Sequence, residues 1–155
     1  MNKAIAYCRV SSREQAEGYS LDAQYEKIGI YAEKQNLKVH KSWKVSESAK
    51  KEGRTAFNEM IEFLKKSDIR VVIFEKIDRV ARNFRDIVKV QELIDDYDKE
   101  FHFVRENIVL HRNSRSSEKL NFDLQAVLAK NYINNLSDEV KKGFQEKLRQ
   151  GGWPG

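Results

Sequence analysis

The chain has 155 residues, the length of one ordinary domain, and 40% of them are hydrophobic, enough for a single packed core. Lysine and arginine outnumber acids 29 to 24; the formal charge of +5 favours an acidic partner only mildly, and surface helices of mixed charge would produce the same total. A single cysteine excludes an intrachain disulfide, three scattered histidines (His40, His102, His111) offer no transition-metal ligand set, and no apolar run is long enough to span a bilayer.

Residues 4–10 are a short apolar run bounded by polar positions and read as a buried strand, with Cys8 in it as a small hydrophobe. The chain enters this strand without a signal-peptide pattern, and with one cysteine it is expected in a reducing, cytoplasmic setting. Ser20, Leu21 and Asp22 open a helix in which Leu21, Tyr25, Ile28 and Ala32 recur at helical spacing to about residue 34. A second strand is expected over 37–45. A helix is expected from Thr55, with Phe57, Met60, Ile61, Phe63 and Leu64 on or near its apolar side. Residues 70–75 contain Val71-Val72-Ile73-Phe74, the continuous hydrophobic run of a central parallel strand. A helix over 84–97 and a fourth strand over 100–104 follow. Strand and helix alternate, so the fold class is α/β, a layered domain on a largely parallel sheet.

From 117 to 150 there is no proline and one glycine, and Leu128, Tyr132, Leu136, Val140, Phe144 and Leu148 recur every four residues. A helix of that length outreaches a small domain. Its stripe either pairs with a second copy of the chain or folds back on its own sheet. The last five residues, 151–155, are a breaker cluster that looks like the start of a linker.

Three constellations carry chemistry. In Tyr7-Cys8-Arg9-Val10-Ser11-Ser12, alternation puts Tyr7, Arg9 and Ser11 on one strand face, at the carboxyl end where α/β proteins place ligands. The plainer reading is a strand end with a helix-capping serine. In Phe74-Glu75-Lys76-Ile77-Asp78-Arg79-Val80-Ala81-Arg82, three cations with one acid between them exceed what a turn needs and suggest a held anion, most plausibly a phosphate. Arg54, at the expected start of the helix from Thr55, opposes the helix dipole; it is either a phosphate ligand or a salt-bridged or solvated side chain. No histidine is placed for a Ser-His-Asp hydrolase and no Gly-rich phosphate loop is present. Serine attack on a phosphodiester, aided by cations around the developing charge, fits these residues better. A non-catalytic binding module and a small phosphoesterase are the competing classes.

Tyr7-x-Arg9-Val10-Ser11 with Gln15, then Ser20-Leu21-Asp22-x-Gln24, resembles the opening of the resolvase/invertase (serine recombinase) catalytic domain. Lys76-Ile77-Asp78-Arg79-Val80-x-Arg82 resembles that family's second signature, and Ser46-Glu47-Ser48-Ala49 with Arg54 its intervening loop. Asn135-Leu136-Ser137-x-Glu139-Val140-Lys141-Lys142-Gly143 looks like the large serine recombinases of phages and mobile elements. The resemblance implies a three-layer domain with a mostly parallel sheet of four to five strands and a long C-terminal helix. It also implies domain bounds of 1–150 for the catalytic domain (core 1–115, oligomerisation helix about 117–150) and 151–155 for a linker to missing DNA-binding domains.

By the same resemblance, Ser11 is the nucleophile that takes the DNA 5′ phosphate, with Ser12 dispensable. Arg9, Arg79 and Arg82 bind the scissile phosphate beside Arg54 and Lys76, and Asp78 orients these cations or moves protons. Gln15 and Gln24 hold the local network, Ser48 lines the site, and Tyr7 supports it. DNA is the implied partner, through a homodimer built on the long helix and a tetramer in the synaptic complex. No metal, ATP, cofactor or membrane is implied, and the source is bacterial, phage or mobile-element. Two departures stand out: Lys44-Val45-Ser46 occupies a stretch that often carries an aspartate, and Tyr132-Ile133 replaces a Glu-Arg pair of the small resolvases. Lys130, Lys141 and Lys142 contact DNA backbone or are solvated.

Overall fold

A computed structural model describes residues 2–47, 50–80 and 84–115, together with Lys119 and Phe122. Within them β1 (Asn2–Ser11), α1 (Ser12–Ala16), α2 (Leu21–Lys34), β2 (Leu37–Glu47), α3 (Lys50–Lys66), β3 (Val71–Phe74), a 3-10 turn (Ile77–Arg79), α4 (Phe84–Tyr97), β4 (Glu100–Phe103) and β5 (Ile108–Leu110) follow in order. One five-stranded sheet runs β2-β1-β3-β4-β5. Its first three pairings are parallel and β5 closes the edge antiparallel to β4. The expected α/β class with a mostly parallel sheet is what forms.

Alternation along β1 decides the layers. Ile5 and Tyr7 face one core, with Phe57, Met60, Ile61 and Leu64 of α3 and Ile87, Val90, Leu93 and Ile94 of α4. Ala4, Ala6 and Cys8 face the other, with Ile28 and Ala32 of α2. Side chains this small let α2 lie close to the strand. Phe74, fully buried, stacks on Phe101 and Phe103 at 5.9 and 5.7 Å between ring centroids. Cys8 is buried and its thiol pKa is pushed up to about 12, chiefly by desolvation, as befits a small hydrophobe.

Several elements differ from the sequence expectation. β1 and β2 run longer than expected, α1 and β5 were not foreseen, and the third helix begins at Lys50 rather than Thr55. Arg54 therefore stands a full turn inside α3, exposed, and not at its start. The reason is that lysine and glutamate are good helix formers and a lone interior glycine, Gly53, weakens a helix by only about 1 kcal/mol. Of the segment 117–150, expected as a long helix, Lys119 and Phe122 are described. Both are helical, and Phe122 is buried on Phe103 at 5.5 Å. The rest of that segment, with Lys130, Tyr132, Ile133, Lys141, Lys142 and the expected apolar stripe, lies outside the described residues, as does 151–155.

Candidate active site

The strand order places a topological switch between β1 and β3: the chain leaves β1 toward β2 on one side, then returns to β3 on the other. Crevices at the carboxyl ends of such strands are where open α/β sheets bind ligands. Ser11 ends β1 there, and the 3-10 turn that carries Asp78 and Arg79 follows β3 there.

Ser11 is at once the last residue of β1 and the N-cap of α1. Its Oγ accepts from the Glu14 backbone N–H at 3.1 Å, and the Glu14 carboxylate accepts from the Ser11 N–H at 3.1 Å. Both halves of a capping box are thus present. The capping reading of this serine is therefore realised. The same Glu14 carboxylate reaches Arg79, its Oε2 lying 2.5 Å from Nη1. One glutamate thereby joins the strand-end serine to the guanidinium of the second constellation: its backbone N–H holds the hydroxyl, and its carboxylate holds the Ser11 N–H and Arg79. The Glu14 pKa is lowered: burial pulls it up, and this is outweighed by the hydrogen bond and charge of Arg79 together with the Ser11 hydrogen bonds.

Arg79 is the largest fully buried side chain among the described residues, 1% exposed. Glu75 and Asp78 lie 3.7 and 3.8 Å from its Nε. Asp78 also pairs with Lys76 at 3.3 Å, Glu75 pairs with Lys27 at 3.5 Å, and Lys76 lies over the Tyr19 ring. The cations of the cluster are thus set against Glu14 and Glu75 as well as Asp78. The excess of positive charge seen along the sequence is smaller in space.

Arg9 is buried and its guanidinium turns to backbone: Nε donates to the Arg79 carbonyl at 3.1 Å and Nη2 to the Asp78 carbonyl. Desolvation lowers its pKa, while Tyr7, Asp78 and Glu14 oppose that fall. Gln24 of α2, 3% exposed, brackets the Arg9 backbone, accepting from its N–H at 3.2 Å and donating to its carbonyl at 2.9 Å. β3 stops opposite Tyr7, and the Gln24 amide continues the bonding just beyond that point. Glu106, in the β4–β5 turn, accepts from the Ile77 N–H at 3.2 Å and steadies the start of the 3-10 turn.

Of the residues singled out from sequence, Ser11, Arg9, Gln24, Lys76, Asp78 and Arg79 come together. Tyr7 lies below them in the core, its ring against Phe57 and Phe74. Gln15 is on the exposed side of α1, and Arg54 is exposed on α3. Ser48 and Arg82 lie outside the described residues. Glu14, Glu75 and Glu106 were not foreseen as parts of this site. For Glu14 a local signal existed, the Ser-x-x-Glu pattern of a capping box.

An open cavity of about 410 Å³ adjoins the cluster, lined by Tyr19, Lys27, Glu75, Val104 and Arg105. Another hollow, of about 290 Å³ around Lys3, Asp68 and Arg70, opens at the opposite, amino-terminal edge of the sheet, away from Ser11. Among the described residues, no group of three or more His, Cys, Asp or Glu is disposed to hold a metal ion, and no helix is long and apolar enough to cross a membrane.

The family described as Resolvase, N terminal domain matches residues 4–153. The chain belongs to this family. Among relatives of this resolvase-family domain, the transposon Tn552 resolvase of Staphylococcus aureus is 27% identical over 153 residues, 97% of this chain and 71% of that protein. The transposon Tn552 DNA-invertase BinR, also of Staphylococcus aureus, is 27% identical over 153 residues, 97% of this chain and 73% of that protein. A resolvase family site-specific recombinase from Streptococcus pneumoniae matches 96% of this chain and 99% of its own, with 26% identity and a TM-score of 0.68. The N-terminal catalytic domain of TP901-1 integrase shares the fold, with 23% identity, a TM-score of 0.58, and coverage of 90% of this chain and 98% of its own.

Proposed function

We propose that this resolvase-family chain is the catalytic domain of a serine recombinase acting on DNA, with Ser11 as its nucleophile. In this reading Ser11 Oγ attacks a backbone phosphorus. A serine–phosphate ester to the DNA 5′ end forms, the bond to the 3′ oxygen breaks, the hydroxyl proton is given up and the departing 3′ oxygen takes one. Resealing is the reverse attack by a 3′ hydroxyl. Each step exchanges one phosphate ester for another, so the bond energy is retained and no ATP is required. Charge on the non-bridging oxygens is met by fixed cations, the main lever in phosphoryl transfer.

The observation that carries the reading is the convergence of Ser11 and Arg79 on the Glu14 carboxylate at the β1/β3 crevice. Arg79 is the principal phosphate ligand in this scheme, with Lys76 beside it and Arg82 and Arg54 assigned to the same task from sequence pattern. Asp78 orients Lys76 and Arg79. Arg9, committed to two carbonyls of the 3-10 turn, acts mainly by holding that turn, and Gln24 acts by holding Arg9. Ser48 and Gln15 are assigned supporting places from sequence pattern. The names of the Tn552 resolvase and DNA-invertase point the same way, toward site-specific rearrangement of DNA. The domain is assigned to 1–150, with dimers through the helix over 117–150, tetramers during strand exchange, and 151–155 leading to DNA-binding domains.

The test compares Ser11→Ala with Ser12→Ala in the full-length protein on nicked DNA carrying its recombination site, reading covalent protein–DNA adduct on a denaturing gel. Adduct is expected to vanish for Ser11→Ala and persist for Ser12→Ala. Adduct surviving Ser11→Ala overturns the assignment.

A further inference from the structure

Glu14 occupies both partners that the proposed reaction needs free. Its backbone N–H commits a lone pair of Ser11 Oγ, its Oε1 holds the Ser11 N–H, and its Oε2 sits on Arg79 Nη1. The other terminal nitrogen of that guanidinium, Nη2, is buried and finds no hydrogen-bond partner among the described residues. The buried fork is therefore only partly used by its carboxylate.

A phosphodiester offers an arginine what a carboxylate offers: two anionic oxygens that match the guanidinium fork. Seating both would crowd a fourth anion around a cation that Glu14, Glu75 and Asp78 already surround, and like charges a few ångströms apart repel strongly where water is scarce. Departure of Glu14 does not leave Arg79 bare, since Glu75 and Asp78 stay within 4 Å of its Nε. It also opens one half of the capping box, the bond from the Ser11 N–H to the Glu14 carboxylate, and leaves α1 with the bond between Ser11 Oγ and the Glu14 N–H alone. α1 has five residues and buries none of them, so neither core packing nor length sustains it without the capping box.

We propose that Glu14 is a positioning residue that stands in for the DNA phosphate: in the resting chain its carboxylate occupies Nη1 of Arg79 and holds the Ser11 N–H, and an arriving phosphodiester displaces it, opening the capping box and so loosening the turn that holds the serine hydroxyl in the same event. Occupancy of the cation and release of the nucleophile are thereby one mechanical step, passed through a single side chain. The proposal rests on the reading of Arg79 and Ser11 given above. It assigns to Glu14 a role that neither the nucleophile nor the cations have, that of keeping the serine capped until substrate is seated.

The experiment titrates inorganic phosphate, at constant ionic strength, into wild type and Glu14→Gln, following the Arg79 Nε–H signal by nitrogen-edited NMR. Glutamine at this position serves a capping box as glutamate does, so the change removes the charge and keeps the cap. Glu14→Gln is expected to reach half-saturation at about tenfold lower phosphate. In wild type, phosphate is expected to accelerate hydrogen exchange of the Glu14 amide, the donor to Ser11 Oγ. Equal half-saturation in the two proteins, with Arg79 responding in both, overturns the displacement while sparing the phosphate site. So does a Glu14 amide equally protected at saturation, a wild-type measurement that decides the matter even if the variant does not fold. No Arg79 response in either protein overturns the phosphate site itself and the displacement with it.

Discussion

Gln24→Ala isolates one long-range support of the site. The Gln24 side chain is 3% exposed and its amide satisfies both the N–H and the carbonyl of Arg9, at 3.2 and 2.9 Å. Alanine removes both partners where β3 has already ended, so no strand replaces them. A buried backbone group left without a partner costs about 1–3 kcal/mol, so the pair is expected to lower stability by about 2–6 kcal/mol. For a chain of this size that is a fall in melting temperature of about 4–24 °C. Urea unfolding followed by circular dichroism measures it, with Gln15→Ala as the exposed control, expected within about 0.5 kcal/mol of wild type. Gln24→Glu keeps an acceptor for the Arg9 N–H but turns a second acceptor toward the Arg9 carbonyl, so it is expected to be at least as damaging as alanine. A Gln24→Ala protein within about 0.5 kcal/mol of wild type would mean that the Arg9 backbone is satisfied without the amide.

The other predictions concern buried titratable groups. Cys8, with its thiol pushed up to about 12 by burial, is expected to resist a disulfide reagent at pH 8 in the folded chain and to react fully in denaturant; fast labelling of folded protein would contradict its packing. The His102 imidazole, hydrogen-bonded to the Tyr31 hydroxyl at 2.7 Å, has its pKa lowered, mainly by burial. The unfolded chain therefore takes up this proton first, so stability should fall as pH drops below about 6.5 and level off once the folded imidazole also titrates. An NMR titration should put the His102 midpoint below the usual value, and His102→Gln should flatten the stability profile between pH 7 and 5. Lys99 is 4% exposed and its ammonium donates to the carbonyls of Ser67 and Ile69 at 2.9 and 2.8 Å. Lys99→Met strands both carbonyls and is expected to lower stability by about 2–4 kcal/mol, read by urea unfolding; an unchanged midpoint would show that the two carbonyls find other partners.

The layered α/β class is legible along the chain, because strand and helix announce themselves through local periodicities that need no partner. So is the face of β1 that each side chain takes, since alternation follows from the pleat. The motifs around Ser11 and Lys76 to Arg79 were legible as clusters of the same chemistry. Their meeting was not, because it depends on how the sheet assembles. The order β2-β1-β3 sets the ends of β1 and β3 side by side, and residues distant along the chain then meet at atomic range. No local pattern shows that the Glu14 carboxylate lies on Arg79, that Gln24 brackets Arg9, or that Arg9 spends its guanidinium on the 3-10 turn. β5 escaped notice because three residues are too few to establish a period, and the early start of α3 because a single glycine weakens a helix without ending it. Periodicity belongs to neighbours in sequence, whereas hydrogen-bond and charge partners are chosen by distance in space after the sheet has assembled.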